Sequence, residues 1–454
     1  MGKRIPRDVE EAMEELEKRG YSVYIVGGAV RDLLRGVEPN DYDLATSARP
    51  EEVLRVFREK GWVVVPKGVQ YGVVSVVHPA TGREIEIATF RKEYYPLDYA
   101  RRNAVVEYAD SIEDDLARRD FTINAMAMDR EGNIVDPFGG RKDLGRGVIR
   151  FVGEPSERIR EDPLRMLRAV RFASKMGFEI EPESYEALRE NWEKLGYVSR
   201  ERIGEEVKKA MKGVAPEKFP QLLYATELYR VVYPELGDMA ETRHGVGKSH
   251  YGETVLEHTS DVMERAKVVE PVEEKPVFMM GAMLHDVGKP YTAEKRENGW
   301  VSFPRHDVVG SEIAEKRMRE WRRPVREINY VVKIVRNHMT PLNLSNTYSG
   351  KQLAAKMLAK YGYPLAYDLA LHAYADTGDE YWLDIANIVK QEGTKARPLV
   401  NGYDIIQYLG VKPGPVVGEL KKKAYEIQVN KNINDKEKIL EELRKLLSKK
   451  KITL

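Results

Sequence analysis

Asp41 and Asp43, one residue apart, close a stretch that reads IVGGAVRDLLRGVEPNDYD over residues 25–43. On a strand, residues two apart point to the same face, so the spacing sets both carboxylates side by side, about 7 Å apart along the chain. Paired carboxylates at that separation suit hard divalent cations. Just upstream, apolar Val23, Ile25 and Val26 run into Gly27 and Gly28, where the absence of Cβ lets backbone approach a phosphate. Arg31 falls in the first turn of the helix expected after the glycines, whose free N–H groups favour anions. A phosphate cradle beside an acidic pair outlines a phosphoryl-transfer site. Two metal ions there would activate an attacking oxygen and neutralise a leaving pyrophosphate.

The elements that must position these groups are legible as an alternating pattern. A helix over 8–19 leads to a strand at 22–26, a helix over 29–35 and then the aspartate strand. Pro50 opens a helix through Lys60. Strands are expected at 62–65, 72–78, 84–90 and 104–108. In REIEIATFRKE (83–93) the residues alternate, setting Glu84 and Glu86 on one face and Ile85 and Ile87 on the other. Either glutamate supplies a third carboxylate, and the period alone does not choose between them. RRDFTINAMAMD (118–129) brings Arg118 and Arg119, then Asp120, with Asn124 one helical turn later. A guanidinium here can grip phosphate oxygens through two N–H groups. EDPLRMLRAVRFA (161–173) reads as one amphipathic helix, with Leu164, Met166, Leu167, Val170 and Ala173 on one half and Asp162, Arg165, Arg168 and Arg171 on the other. Composition alone makes it a surface helix with an Asp162–Arg165 pair at i,i+3.

Together, GGAVRD followed by DYD, the Glu-Ile-x-Thr-x-Arg strand, RRDFTINAMAMD, DPFGGRKDL (136–144) and EDPLRMLRAVRFA resemble the signatures of the class II branch of the polymerase-β nucleotidyltransferases, the tRNA CCA-adding enzymes and bacterial poly(A) polymerases. The resemblance implies that Asp41 and Asp43 bind Mg²⁺, and it selects Glu86 as the third carboxylate. It assigns Gly28, Arg31 and Arg119 to the triphosphate, and Asp120 and Asn124 to the ribose or to the arginine. Asp162 and Arg165 become the amino-acid template that reads the Watson–Crick edge of the incoming base, supported by Arg168 and Arg171. Cytosine and adenine carry an amino group on that edge, whereas uracil and guanine carry carbonyl oxygens. One Asp–Arg pair would therefore accept CTP and ATP and reject UTP and GTP. The loop KEYYPLDYARRNA (92–104) resembles the segment that helps such enzymes switch from CTP to ATP, and ERIGEE (201–206) fits their neck.

Six of the eight histidines lie between 244 and 338. MMGAMLHDVGKP (279–290) carries His285 and Asp286 on a helix expected to stop at Gly288 and Pro290. His258 precedes it, and His306, His338 and Asp376 follow. Imidazoles and carboxylates on successive helices suit a metal in a bundle. The ordered set resembles the HD metal-dependent phosphohydrolases, which implies one or two divalent metals and phosphodiesterase or phosphatase activity on damaged 3′ ends. His250 and His372 fall near ligand positions and are left outside the set.

The chain has 454 residues, of which 42% are hydrophobic and 32% charged, with a net charge of +1. Its length suggests roughly three or four domains, and RNA binding must come from local basic patches rather than bulk charge. There is no cysteine, which excludes disulfides and thiolate metal sites. MGKRIPRDVEEAMEELEKRG reads as a charged amphipathic helix rather than a signal peptide, and no apolar run reaches the ~18 residues of a membrane span, so a cytoplasmic protein without membrane partners is expected. The resemblance implies a multidomain α+β fold: a mixed α/β nucleotidyltransferase head (1–150), an all-α neck (151–240), an HD-type helical body (241–394) and a helical, tRNA-binding tail (395–454) whose Lys421, Lys422 and Lys423 attract phosphate. The expected activity is addition or repair of the 3′-CCA of tRNA from CTP and ATP. Addition of A alone, poly(A) synthesis, a dominant HD phosphohydrolase with a nucleotide-binding head, and a non-catalytic RNA-binding role remain the alternatives. Poly(A) polymerases usually carry an arginine-rich stretch where this chain has VPKGVQYGVV.

Overall fold

The structure, a computed structural model, describes residues 5–66, 68–95, 105–244, 252–295, 301–395, 399–412, 414–430, 433 and 435–449. It separates into two compact units, one formed by residues 1–206 with 222–232 and the other by 207–221 with 233–454.

The first unit begins with α1 (Arg7–Glu17), β1 (Val23–Val26), α2 (Gly28–Leu34), β2 (Asp43–Thr46) and α3 (Pro50–Glu59). Then come β3 (Val63–Val65), β4 (Val73–Val77), β5 (Glu84–Thr89), β6 (Arg91–Tyr94) and β7 (Val105–Tyr108). After α4 (Ile112–Ala117), β8 (Ala127–Met128) and β9 (Ile134–Val135) complete the strands, and α5 (Gly140–Arg146) follows. Seven strands form one sheet in the order β3-β4-β5-β2-β1-β8-β9. Within this sheet only β2 and β5 pair in parallel. α1 forms because Val9, Ala12, Met13 and Leu16 fall at helical spacing, and all four are fully buried. They pack with Val53, Val56 and Phe57 of α3 against Ile25, Leu44, Val74, Ile85 and Ile87 of the sheet. Pro50 sits at the start of α3, and the Glu52 carboxylate accepts from the backbone N–H of Arg49 at 2.7 Å.

The expected strands and helices of the head are present with ends shifted by one or two residues. The strand expected at 104–108 is β7, which pairs with β6 apart from the main sheet; β6 was not expected, nor were β8 and β9, since strands of two residues carry no period. The aspartate strand is shorter than expected: β2 starts at Asp43 and Asp41 lies in the loop before it. The expected helix over 161–173 is broken. α6 (Pro155–Glu161) ends at Asp162, which has extended backbone, and α7 (Leu164–Met176) begins after Pro163. The break follows from proline, which disfavours helical backbone in the residue before it. The neck continues with α8 (Pro182–Asn191), α9 (Arg200–Ala210), α10 (Lys218–Ala225) and α11 (Tyr229–Val232). Residues 96–104 of the expected switching loop lie outside the described residues, as does His250.

The second unit is helical. It comprises α12 (Glu235–Glu241), α13 (Val255–Ala266), α14 (Lys275–Leu284), α15 (His306–Glu320), α16 (Val325–Asn337), α17 (Met339–Ser345), α18 (Gly350–Tyr361), α19 (Tyr363–Thr377) and α20 (Tyr381–Lys395). The tail adds α21 (Gly402–Leu409), α22 (Pro415–Asn430) and α23 (Lys436–Lys449) around a small core that includes Ile405, Leu420, Ile439 and Leu443. α14 is apolar on all sides and buried throughout its length after Lys275, as the central helix of a bundle must be. A Cβ on Gly281 would come 3.1 Å from Ile334, so the glycine brings α14 and α16 close. Among the described residues no helix is long and apolar enough to cross a membrane.

Candidate functional site

In the head, the parallel pairing sets Asp43 on β2 directly beside Glu86 on β5, about 4.8 Å away between strands. Both are exposed, while Leu44, Ile85 and Ile87 beside them point into the core. Loss of surrounding water, and then the charge of Glu86, push the Asp43 carboxyl above its ordinary pKa, whereas Arg119 pulls it down. Asp41, in the preceding loop, adds a smaller repulsion. Glu84, two residues before Glu86, pairs across to Val77 at the start of β5, away from Asp43. The register thus distinguishes the two glutamates that period left equal.

Gly27 precedes α2 with φ +67°, and a Cβ there would stand 2.8 Å from Nη1 of Arg119. The bare turn is what lets that guanidinium lie against the backbone. Asp115, fully buried, holds Arg119 at 3.1 Å and Arg118 at 2.8 Å. On α2, Arg31 donates to Asn124 at 2.8 Å, Asn124 donates to Asp120 at 3.0 Å, and Asp120 accepts from Arg168 at 2.8 Å. Burial alone would raise the Asp120 pKa, but Arg168 and Asn124 hold it far below the usual carboxylate range. Four of the expected nucleotide-binding residues therefore form one continuous chain. The guanidinium carbons of Arg31, Arg168 and Arg171 lie 5.3, 5.6 and 3.8 Å from the ring centre of Phe172, a shared aromatic support. Phe172 carried no sequence signal beyond its apolarity.

Asp162 and Arg165 are each held by other parts of the chain. Asp162, 3% exposed, accepts from Arg202 on α9 at 2.8 Å and from the backbone N–H of Leu164 at 3.2 Å. Arg165 pairs with Glu161 and donates to the carbonyl of Arg118 at 2.9 Å. Arg171 pairs with Glu206, one turn beyond Arg202 on α9. The half of α7 that reads as a solvated face is in fact interior, with Arg165 and Arg171 buried. Arg202 and Glu206 stand in ERIGEE at i,i+4, a spacing that puts them on one helix face and could have announced them.

In the second unit, the six expected residues converge as two triads. His258, His285 and Asp376 offer ligand atoms all within 4.8 Å of one another, and so do Asp286, His306 and His338. Most lie at helix ends: His285 and Asp286 just past α14 rather than within it, His306 at the start of α15, His338 just past α16, and Asp376 in the last turn of α19. Asp286 joins the triads. Its Oδ2 lies 3.1 Å from His285 and 3.6 Å from His258, and its Oδ1 lies 3.5 Å from His306 and 3.6 Å from His338. Gly288 makes this possible, because a Cβ there would meet the carbonyl oxygen of His306 at 2.2 Å and Gly310 N at 2.5 Å.

The residues fit a divalent cation. Nδ1–H of His285, His306 and His338 donates to the carbonyls of Ala282, Phe303 and Val335 at 2.7–2.8 Å, which leaves each Nε2 as a lone pair aimed inward. His306 Nε2 and His338 Nε2 face each other at 3.1 Å, an arrangement that a shared cation relieves. Asp286 Oδ1 is buried and takes part in no hydrogen bond, while Oδ2 pairs with Lys289. Burial pushes His338 down to about 4, keeping it neutral as a ligand must be. Asp286 is held well below the usual range: burial opposes this, but His285 and Lys289 prevail. Lys289, which pairs with Asp286, also lies 3.1 Å from His244. His244 and Lys289 were not expected here. In sequence Lys289 is one turn from Asp286.

Comparison with known proteins identifies the family and the domains in which the two groups of residues lie. The chain is 34% identical to the CCA-adding enzyme of Ligilactobacillus salivarius over 98% of each chain. It belongs to the CCA-adding enzyme family. The CCA-adding enzyme of Geobacillus stearothermophilus is 44% identical over 48% of this chain and 52% of its own length. The solved structure of the Bacillus stearothermophilus CCA-adding enzyme in complex with CTP superposes with a TM-score of 0.65 at 28% identity, covering 98% of both chains. Residues 23–150 match the poly A polymerase head domain, 177–239 the probable RNA- and SrmB-binding site of polymerase A, and 255–397 the HD domain. As a CCA-adding enzyme the protein is a nucleotidyltransferase, and the sheet bearing Asp43 and Glu86 lies in its head domain. The expected fold, a mixed head followed by helical domains, is the one observed. The paired triads fall within the HD domain, and both domain types imply divalent metal.

Proposed function

We propose that the head adds or repairs the 3′-terminal CCA of tRNA without a nucleic-acid template, using CTP and ATP. The observation that carries this reading is the β2–β5 register, which sets Asp43 beside Glu86, with Arg119 close enough to favour the Asp43 carboxylate. Asp41 and Asp43 would hold Mg²⁺, which when bound supplies charge neutralisation for the pyrophosphate and activates the 3′-hydroxyl. Glu86 completes the acidic face. Gly28, Arg31 and Arg119 grip the triphosphate, with Asp120 and Asn124 orienting Arg31. Asp162, held in place by Arg202, accepts from the amino group of cytosine or adenine, and Arg165, fixed by Glu161, donates to the ring acceptors. Arg168 and Arg171 hold this template from α7. tRNA is the expected partner, bound through the neck and the tail lysines, and the cytoplasm is the expected compartment.

The HD domain supports a second activity. Its two metal-ready triads favour hydrolysis of phosphoesters at damaged 3′ ends, with a divalent metal supplying the activated water when bound.

The test uses labelled tRNA transcripts ending before CCA, after C and after CC, each incubated with Mg²⁺ and CTP, ATP or both. Completion of all three, stopping after the A, supports CCA addition. Extension of the CC-ending transcript alone makes the protein an A-adding enzyme, and long adenosine ladders make it a poly(A) polymerase. No extension overturns the head reading. Release of phosphate from 3′-phosphate ends and ring opening of 2′,3′-cyclic phosphate ends to a monoester, both lost in His285→Ala, test the HD reading.

A further inference from the structure

His372 belongs to neither triad, yet it is built into the floor between them. It lies on α19 one turn before Asp376, so the two side chains leave the helix on the same side. Its ring is fully buried. The ring centre stands 5.1 Å from that of His285 and 5.8 Å from that of His338. Histidines that share a triad are spaced in the same way, at 5.6 Å for His258 and His285 and 5.1 Å for His306 and His338. His285 belongs to one triad and His338 to the other, so His372 adjoins both.

Neither ring nitrogen of His372 has a hydrogen-bond partner. A neutral imidazole carries one donor and one acceptor, and leaving both unmet away from water is costly. An aromatic ring without nitrogen, like that of neighbouring Phe278, would fill such a space without that cost. Packing alone therefore gives no reason for a histidine, whereas a cation beside it does.

We propose that His372 is a seventh donor residue of the HD metal centre, offering a ring nitrogen to the cations that the two triads hold. This rests on the reading of those triads as a metal centre. The added imidazole biases the site toward transition metals such as Mn²⁺, Co²⁺ or Zn²⁺ over Mg²⁺, which prefers oxygen ligands.

The probe is Co²⁺, titrated into the full-length chain carrying D41A and D43A so that the head takes no metal, and followed by calorimetry and visible absorption. With His372 present, Co²⁺ loads the centre with a spectrum of mixed nitrogen and oxygen ligation. His372→Phe is expected to bind Co²⁺ at least tenfold more weakly, or with one ion fewer, and to change the spectrum, while the metal-free melting temperature stays within a few degrees. His372→Ala is expected to regain Co²⁺ affinity when free imidazole is added, which covers the case in which the phenylalanine variant does not fold. Unchanged stoichiometry, affinity and spectrum in His372→Phe, or no recovery with imidazole, would overturn the proposal. If Asp286→Ala also leaves Co²⁺ binding unaltered, the triads themselves are not the metal site, and that separate reading fails instead.

Discussion

Asp162 pairs with Arg202 at 2.8 Å on a different helix. The carboxylate proposed to read the base is therefore oriented by the neck, through α9. Removing Arg202 should loosen Asp162 without touching any group that meets the nucleotide. Arg202→Ala is expected to lower kcat/KM for both CTP and ATP by about tenfold, ~1.4 kcal/mol of transition-state stabilisation, and to narrow discrimination against UTP. Arg202→Lys should recover part of both. Single-nucleotide addition kinetics with all four nucleotides measure this, and unchanged selectivity in the alanine variant would show that Arg202 only braces the fold.

The strand register makes a sharp distinction between two neighbouring glutamates. Glu86→Gln is expected to reduce the rate of nucleotide addition on the order of 10²-fold or more, since it removes charge beside Asp43 where electrostatic stabilisation is concentrated. Glu84→Gln, at the far end of the same strand face, should stay within about twofold of the parent. Single-turnover rates decide the matter; equal losses in the two variants would mean that the acidic face works as a whole.

Gly288 holds the HD loop against α15. Gly288→Ala places a Cβ where the His306 carbonyl stands, forcing Asp286 away from His306 and His338. The variant is expected to lose bound metal from the second unit and at least ~2 kcal/mol of its stability. Metal analysis and calorimetry check both effects, with nucleotide addition by the other unit as an internal control.

Acid should loosen the head through Glu15. A hydrogen bond from Lys60, which caps the end of α3, lowers its pKa, burial opposes this, and Arg19 adds to the lowering, so that it falls from 4.5 to about 2. Because the folded value is depressed, the unfolded chain binds the extra proton first. The stabilisation is present above pH 4.5 and is lost as pH falls toward 2. After allowance for screening by water it amounts to about 1–2 kcal/mol. Glu15→Gln should flatten the fall in stability over that interval, as read by urea unfolding at a series of pH values.

Much of this was legible from residue types. Alternation in REIEIATFRKE required one acidic and one apolar face, and both are observed. The histidines and aspartates expected to converge do so, because their order along the chain matches the order of the helices that carry them. What failed was local. Asp162 precedes a proline, and that single residue ended the helix expected to run unbroken over 161–173. The polar half of α7 looked solvated because charge normally means solvent, but Asp120, Glu161 and Glu206 supply partners from elsewhere in the chain.

By itself the sequence determined the elements and the donor types: strand and helix periods, glycines where backbone must approach backbone, and the absence of thiols. These follow from forces that act within a few residues. Only the tertiary structure decided which glutamate faces Asp43, which arginine holds Asp162, and that Asp286 bridges two triads with His372 beneath them. Such choices depend on register and on the close approach of distant segments, and no local period encodes which of two equivalent side chains will meet a given partner.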